Sequence, residues 1–89
     1  MAGMNASSLS EDLRRLGAVI RERRLAVGLS QQQLAKRARC HLSSVGRVER
    51  GKQNVRLNLL YALAHGLEWK LVELLDAVDA PSGDGGEER

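Results

Sequence analysis

The sequence predicts an all-α fold, five helices packed into one small domain. Three observations carry that expectation. Apolar residues recur at spacings of three and four along much of the chain, and runs with strand character are few. The 43% hydrophobic share is almost wholly aliphatic, with one Trp, one Tyr and no Phe. Gly28, Gly51 and Gly66 fall where successive periodic stretches stop. At 89 residues the chain can bury a single core near the lower limit of independent stability. The domain is expected over residues 8–78, between a small, polar, disordered lead at 1–7 and a flexible acidic tail at 79–89 that carries Pro81 and three glycines.

Helix 1 is expected from a capping box of Ser8 and Glu11 to about Val27. Leu9, Leu13, Leu16, Ile20, Arg24 and Val27 follow one another at helical spacing and so share a face. Gly28 stops the helix, with Leu29 as the apolar residue beyond it. Arg24 is the informative member of the stripe, because an unpaired charge there is costly. Glu49, one of only two acids between Arg14 and Arg56, is its natural partner, and an Arg24–Glu49 ion pair is predicted. The other course open to Arg24 is to extend its head to solvent.

Helix 2 opens at Ser30, a good N-cap residue, and turns Leu34, Ala35 and Ala38 inward. Ala35 is small where a crossing helix must come close. After Arg39, Cys40 and His41, helix 3 runs from about Leu42 to Arg50 and is ended by Gly51. Val45 and Val48 face inward, leaving Ser43, Ser44, Gly46 and Arg47 outside. That outer face lacks the Glu/Lys pairs that usually decorate a solvated helix. Its hydroxyls and arginine, with Arg50 and Lys52 beyond, suit base edges and phosphates in a major groove. An ordinary helical hairpin with a small polar face fits the same pattern.

A loop at Lys52 to Arg56 leads to helix 4, about Leu57 to His65, with Leu57, Leu60, Leu63, Ala64 and Leu67 inward. Tyr61 is placed at the core edge and His65 on the surface. Helix 5 follows at about Lys70 to Ala77, with Leu71, Leu74 and Leu75 on one side. Trp69, Val72 and Val78 exceed what one small core needs, so Trp69, Val72, Leu75 and Val78 are the candidate surface for a second copy of the chain. A small helical core without disulfides often gains stability by dimerising.

The net charge of +3 conceals an asymmetry. Twelve Lys/Arg stand against two acids from Arg14 to Arg56, whereas seven acids stand against two bases from Leu57 onward. A basic front section suits a polyanion. No segment joins a basic face to a large apolar one, as binding at a lipid surface requires. The lone Cys excludes an intrachain disulfide and fits a reducing cytoplasm. No signal peptide and no apolar run near the ~20 residues of a membrane span are visible. The sequence offers no nucleophile–base pair, metal-ligand cluster or phosphate loop, so no enzyme, cofactor, metal or small-molecule substrate is expected.

The residues Leu29-Ser30-Gln31, Leu34-Ala35, Val45 and Val48-Glu49-Arg50-Gly51 resemble the helix-turn-helix of the lambda-repressor-like (Cro/repressor, XRE) DNA-binding family. The similarity runs without a gap from about Leu16 to Leu75. Within that family, Gly46 and the run ERGKQNV from Glu49 to Val55 are similar to restriction–modification controller proteins, although Ser44 stands where those often carry an aromatic. The resemblance implies a transcriptional regulator that binds a pseudo-palindromic double-stranded DNA operator as a homodimer. It implies a cytoplasmic, nucleoid-associated, bacterial or phage-encoded protein, and the same Arg24–Glu49 pair. An antitoxin that represses its own promoter is the alternative, and a protein-interaction module that never meets DNA is another.

Ser30, Gln31 and the first-turn amides of helix 2 are candidates to meet a phosphate, which a helix N-terminus favours. Leu42, Ser43 and Arg47 are the candidate base-reading set; Ser43 and Arg47 share a face at i, i+4. Arg47 suits either a bidentate guanine contact or a phosphate. Leu42 suits a thymine methyl or local packing. Ser44, Arg50, Lys52, Gln53 and Asn54 complete the phosphate set, with Arg21 and Arg39 as weaker candidates.

Four residues depart from the family pattern. Arg39 stands where a turn glycine is usual and is expected at positive φ, a cost of ~1 kcal/mol. His41 replaces a Ser-like cap. Gly46 weakens helix 3 by ~1 kcal/mol against Ala. Cys40 holds a small apolar site and is expected to be structural.

Overall fold

The computed structural model describes residues 6–80. Five helices follow one another: α1 (Ala6–Ala26), α2 (Gln31–Ala38), α3 (Leu42–Glu49), α4 (Leu57–Gly66) and α5 (Leu71–Asp79). No strand occurs among the described residues. The expected lead at 1–7 lies outside the described residues up to position 5, and the tail does so from position 81. The helices reach past the expected domain limits at both ends. α1 begins at Ala6, so Ser8 is inside the helix rather than at its cap, and Asp79 closes α5 instead of opening the tail.

The core forms where the apolar faces meet. Ile20 of α1, Leu34 of α2, Val45 and Val48 of α3, Leu63 of α4 and Leu74 of α5 are all essentially buried. α2 packs on α3 and α4, while α1 spans the other side against α3 and α5. Two stripe residues fall short of the core: Leu9 and Leu57, each in the first turns of its helix, are exposed, Leu57 at 61%. The end of an apolar stripe can run past the neighbours that cover its middle. Tyr61 is likewise half exposed rather than packed at the core edge.

Local signals fix the helix ends. Gly28 takes φ 79°, its N–H bonds the Leu25 carbonyl, and the Leu29 N–H reaches the Arg24 carbonyl at 3.0 Å. This is a Schellman ending that needs a residue free to adopt the left-handed conformation. At the start of α2 the Ser30 hydroxyl accepts the Gln33 backbone N–H, and the Gln33 side-chain oxygen Oε1 accepts the Ser30 N–H at 2.8 Å. The turn from α4 to α5 carries Glu68 at φ 63°. Two arginines hold it: Arg23 Nε donates to the Leu67 carbonyl and Arg37 Nη1 to that of Gly66. The Arg23 guanidinium also lies 4.6 Å from the centre of the Trp69 ring.

α1 crosses the end of α3 at very short range. A Cβ on Gly17 would stand against the Val48 carbonyl oxygen and 2.6 Å from that of Glu49. Only a residue without a side chain lets the backbones approach this closely. The crossing brings Arg24 of α1 to the last residue of α3.

Candidate nucleic-acid interface

α3 is short, and a buried polar knot holds its far end. The Glu49 carboxylate accepts Arg24 Nε at 2.7 Å, Arg24 Nη2 at 3.1 Å and Gln31 Nε2 at 3.0 Å. Arg24 Nη1 donates to the Leu29 carbonyl at 2.9 Å. Arg24 is 7% exposed, so this bidentate pair is largely out of water. The hydrogen bond it donates to Glu49 holds the Arg24 guanidinium pKa above the ordinary arginine range, against the opposing pull of burial. A buried ion pair is tolerable only when its remaining polar sites are also satisfied. The Leu29 carbonyl and the Gln31 amide do this, tying α1, the start of α2 and the end of α3 together.

That knot fixes which way α3 faces. Val45 and Val48 point into the core. Leu42, Ser43 and Arg47 are exposed, and Ser44 is half-buried. The expected base-reading set therefore lies on one free side of the helix. Gly46, expected outside, is buried instead. The guanidinium of Arg50 lies over it, with Nη1 3.2 Å from where a Cβ would be.

The turn before α3 carries strain at its first residue. Arg39 adopts the left-handed conformation at φ 56°, and its N–H bonds the Lys36 carbonyl. His41 occupies the cap with no side-chain bond to the helix. Cys40 between them is half-buried beside an open groove lined by Ser30, Gln33, Lys36 and Leu42. Burial pushes the Cys40 thiol pKa up, which keeps it protonated and a poor nucleophile.

The candidate phosphate contacts fall at both ends of the motif. Ser30 is exposed at the N-terminus of α2, where the first-turn N–H groups have no intrahelical acceptor. Gln31 is half-buried and spends one amide hydrogen on Glu49, which leaves the other. Beyond α3, Gly51 turns the chain at φ 70°, and the Lys52 N–H bonds the Arg47 carbonyl at 2.9 Å. Arg50, Lys52 and Asn54 are exposed there, and Gln53 is half-buried; Arg21 and Arg39 are exposed as well.

The four residues assigned to a dimer surface do not share one environment. Trp69 and Val78 are half-buried against the core of their own protomer. Val72 is 67% exposed and Leu75 is also open.

Sequence reasoning missed two members of this site. The bond from Gln31 to Glu49 had one available signal: a carboxylate has about four acceptor sites, and a bidentate arginine fills only two. Gly17 had another, since a glycine in the middle of a long helix is unfavourable unless packing requires it.

The family model described as a helix-turn-helix domain matches residues 15–81. Among solved structures, the restriction–modification controller protein C.AhdI from Aeromonas hydrophila is 44% identical over 72% of this chain and 97% of its own, with a TM-score of 0.70. The clp gene regulator ClgR from Corynebacterium glutamicum is 27% identical over 75% of this chain and 71% of its own, with a TM-score of 0.72. The controller protein C.Esp1396I, solved as a tetramer with its natural 35 base-pair operator, is 25% identical over 75% of this chain and 88% of its own, with a TM-score of 0.71. No curated protein matches the chain.

Proposed function

Because the chain belongs to the lambda-repressor-like helix-turn-helix family, we propose that it is a DNA-binding transcriptional regulator, and specifically a controller of a restriction–modification system. The observation that carries the reading is the attitude of α3. Its last residue is pinned by Arg24 and Gln31, while Leu42, Ser43 and Arg47 stand together in solvent. A helix held rigidly by one side, with polar groups free on the other, is what direct reading of a major groove requires. A relative bound to its natural operator supports the same assignment.

In this reading α3 enters the groove. Arg47 donates to a guanine, Ser43 meets a neighbouring base edge, and Leu42 touches a thymine methyl. Ser30, Gln31, Ser44 and Arg50 meet phosphates along one flank of the motif, and Lys52, Gln53 and Asn54 meet those beyond the end of the helix. Two copies of the chain, joined through α5 at Val72 and Leu75 with Trp69 and Val78 at the margin, present two such helices ~34 Å apart in successive major grooves. The operator is then a pseudo-palindrome.

Selection from random duplexes tests this reading. The expected result is an enriched two-fold site with half-sites one helical turn apart, bound by a species of twice the protomer mass in sedimentation. Binding in ~0.15 M salt with no preference among duplexes would overturn it.

A further inference from the structure

Gly46 is the least expected residue of α3. It lies inside the helix, where glycine costs ~1 kcal/mol against alanine. It is buried, and the side chains nearest the place of its missing Cβ are polar. Its cover is the side chain of Arg50, one helical turn further on. From the point a Cβ would occupy, Arg50 Nη1 is 3.2 Å away, Arg50 Cζ 4.0 Å and Gln31 Oε1 4.0 Å. Helical side chains lean back over the preceding turn, and the residue four positions earlier normally meets them with its own Cβ. Here that obstacle is missing. The guanidinium can lie close against the helix backbone and beside the side chain of Gln31.

Gln31 and Arg50 come from different helices, and both belong to the phosphate set of the DNA-binding reading, on which this inference rests. Without the seat over Gly46, Arg50 at the helix cap would be free to extend past the end of α3 toward the Lys52 loop. With it, the Arg50 fork lies beside the Gln31 amide, whose oxygen is the atom nearer the seat and whose nitrogen keeps one hydrogen not used by Glu49. We infer that Gly46 is a positioning residue: its missing side chain seats the Arg50 guanidinium against α3 beside Gln31, so that both donate to one DNA phosphate. The planar fork can bond two phosphate oxygens while Gln31 supplies a neutral donor. Charge and geometry then converge at a point that neither side chain fixes alone.

A double-mutant cycle on duplex affinity tests the inference, using the duplex selected by the unmodified chain. Gly46→Leu fills the seat, Arg50→Ala removes its occupant, and the third variant carries both. Each single change is expected to weaken binding about tenfold, the size of one lost charge-assisted hydrogen bond. The combined variant is expected to bind no more weakly than either. Each should also lower the salt dependence of binding by about one phosphate. If the two losses multiply instead, Gly46 acts independently of Arg50, as it would by letting DNA approach the helix directly, and the inference falls. Circular dichroism reports folding of each variant. Should Gly46→Leu not fold, Gly46→Ala replaces it, with a loss of about two- to threefold expected from the tight 3.2 Å contact. A loss that persists undiminished in the Arg50→Ala background overturns the inference. If the unmodified chain prefers no duplex, the DNA-binding reading falls and takes this inference with it. Duplex binding with multiplicative losses overturns only the role of Gly46.

Discussion

On the inner side of α3, Val45 and Val48 are sealed in the core and Glu49 accepts three hydrogen bonds from two other helices. On the outer side Leu42 is 48% exposed, and Ser43 and Arg47 lie in solvent. The two sides belong to the same eight-residue helix, so propensity and capping are common to both. What differs is commitment. Val45, Val48 and Glu49 have partners within the chain, and Leu42, Ser43 and Arg47 face solvent. In the proposed reading, folding energy and recognition are assigned to opposite faces of one element, and single substitutions should separate them. Gln31 is the exception, because it bonds Glu49 and also stands where α2 would meet a phosphate.

The largest effect is expected on the inner side. Glu49→Ala leaves the Arg24 guanidinium and the Gln31 amide without their carboxylate in a nearly dry site, which costs ~3–5 kcal/mol. That is a large part of the ~5–15 kcal/mol of a typical domain. Urea unfolding measures it. The combined Arg24→Ala and Glu49→Ala variant should lose less than the sum of the single losses, because the pair acts as a unit. Strict additivity would mean that the knot contributes nothing as a pair, and the contrast between the two sides would lose its main support. Gly17→Ala comes next. Its methyl group has to push against the Val48 and Glu49 carbonyl oxygens. Overpacking of this kind costs ~1–3 kcal/mol, even though alanine suits a helix better than glycine by ~1 kcal/mol. A raised melting temperature for this variant would mean that α1 and α3 are not held at that range.

How much of this was readable beforehand follows the same division. Ser30 and Gly51 are local punctuation, so the bounds of α2 and α3 were legible to within a residue. Leu34, Ala35, Ala38, Val45 and Val48 were legible from spacing alone, because a period of 3.6 states which side of a helix is apolar. Spacing does not state how far along a stripe the neighbours reach, so it misplaces Leu9 and Leu57. Arg24 was legible as a charge in an apolar stripe. The share Gln31 takes in its pair depends on tertiary approach and left no mark in the local pattern. Periodicity places Gly46 outside, because its cover comes from the conformation of one side chain, Arg50, which no periodicity encodes. The base-reading set rests on its free position and residue chemistry, since recognition requires a second molecule.

On the outer side the signature should be reversed. Arg47→Ala removes a solvated side chain from a helix that the core already holds, so unfolding free energy should move by no more than ~0.5 kcal/mol. Discrimination at one base position of the operator should fall by ~1–3 kcal/mol, read as a change in the selected site. Equal losses on every sequence would make Arg47 a phosphate contact and leave Ser43 as the principal base reader. A large loss of stability would show that the outer side is committed after all.

The smallest effect is expected in the turn that joins the two helices of the motif, and it tests what sets the pose of α3. Arg39 sits at φ 56°, a conformation that costs a side-chain-bearing residue ~1 kcal/mol or more. Arg39→Gly should recover part of that strain, offset by the extra freedom glycine brings to the unfolded chain, for a net gain below ~1 kcal/mol. If the turn dictated how α3 is presented, relaxing it would alter duplex affinity beyond the loss of one exposed charge. If the Glu49 knot and the valine seam dictate it, Arg39→Gly should match Arg39→Ala in operator affinity while melting at a higher temperature. Matching affinities with separated melting points are the expected outcome, because the turn touches only the start of α3, whereas the inner side grips the helix through to its last residue.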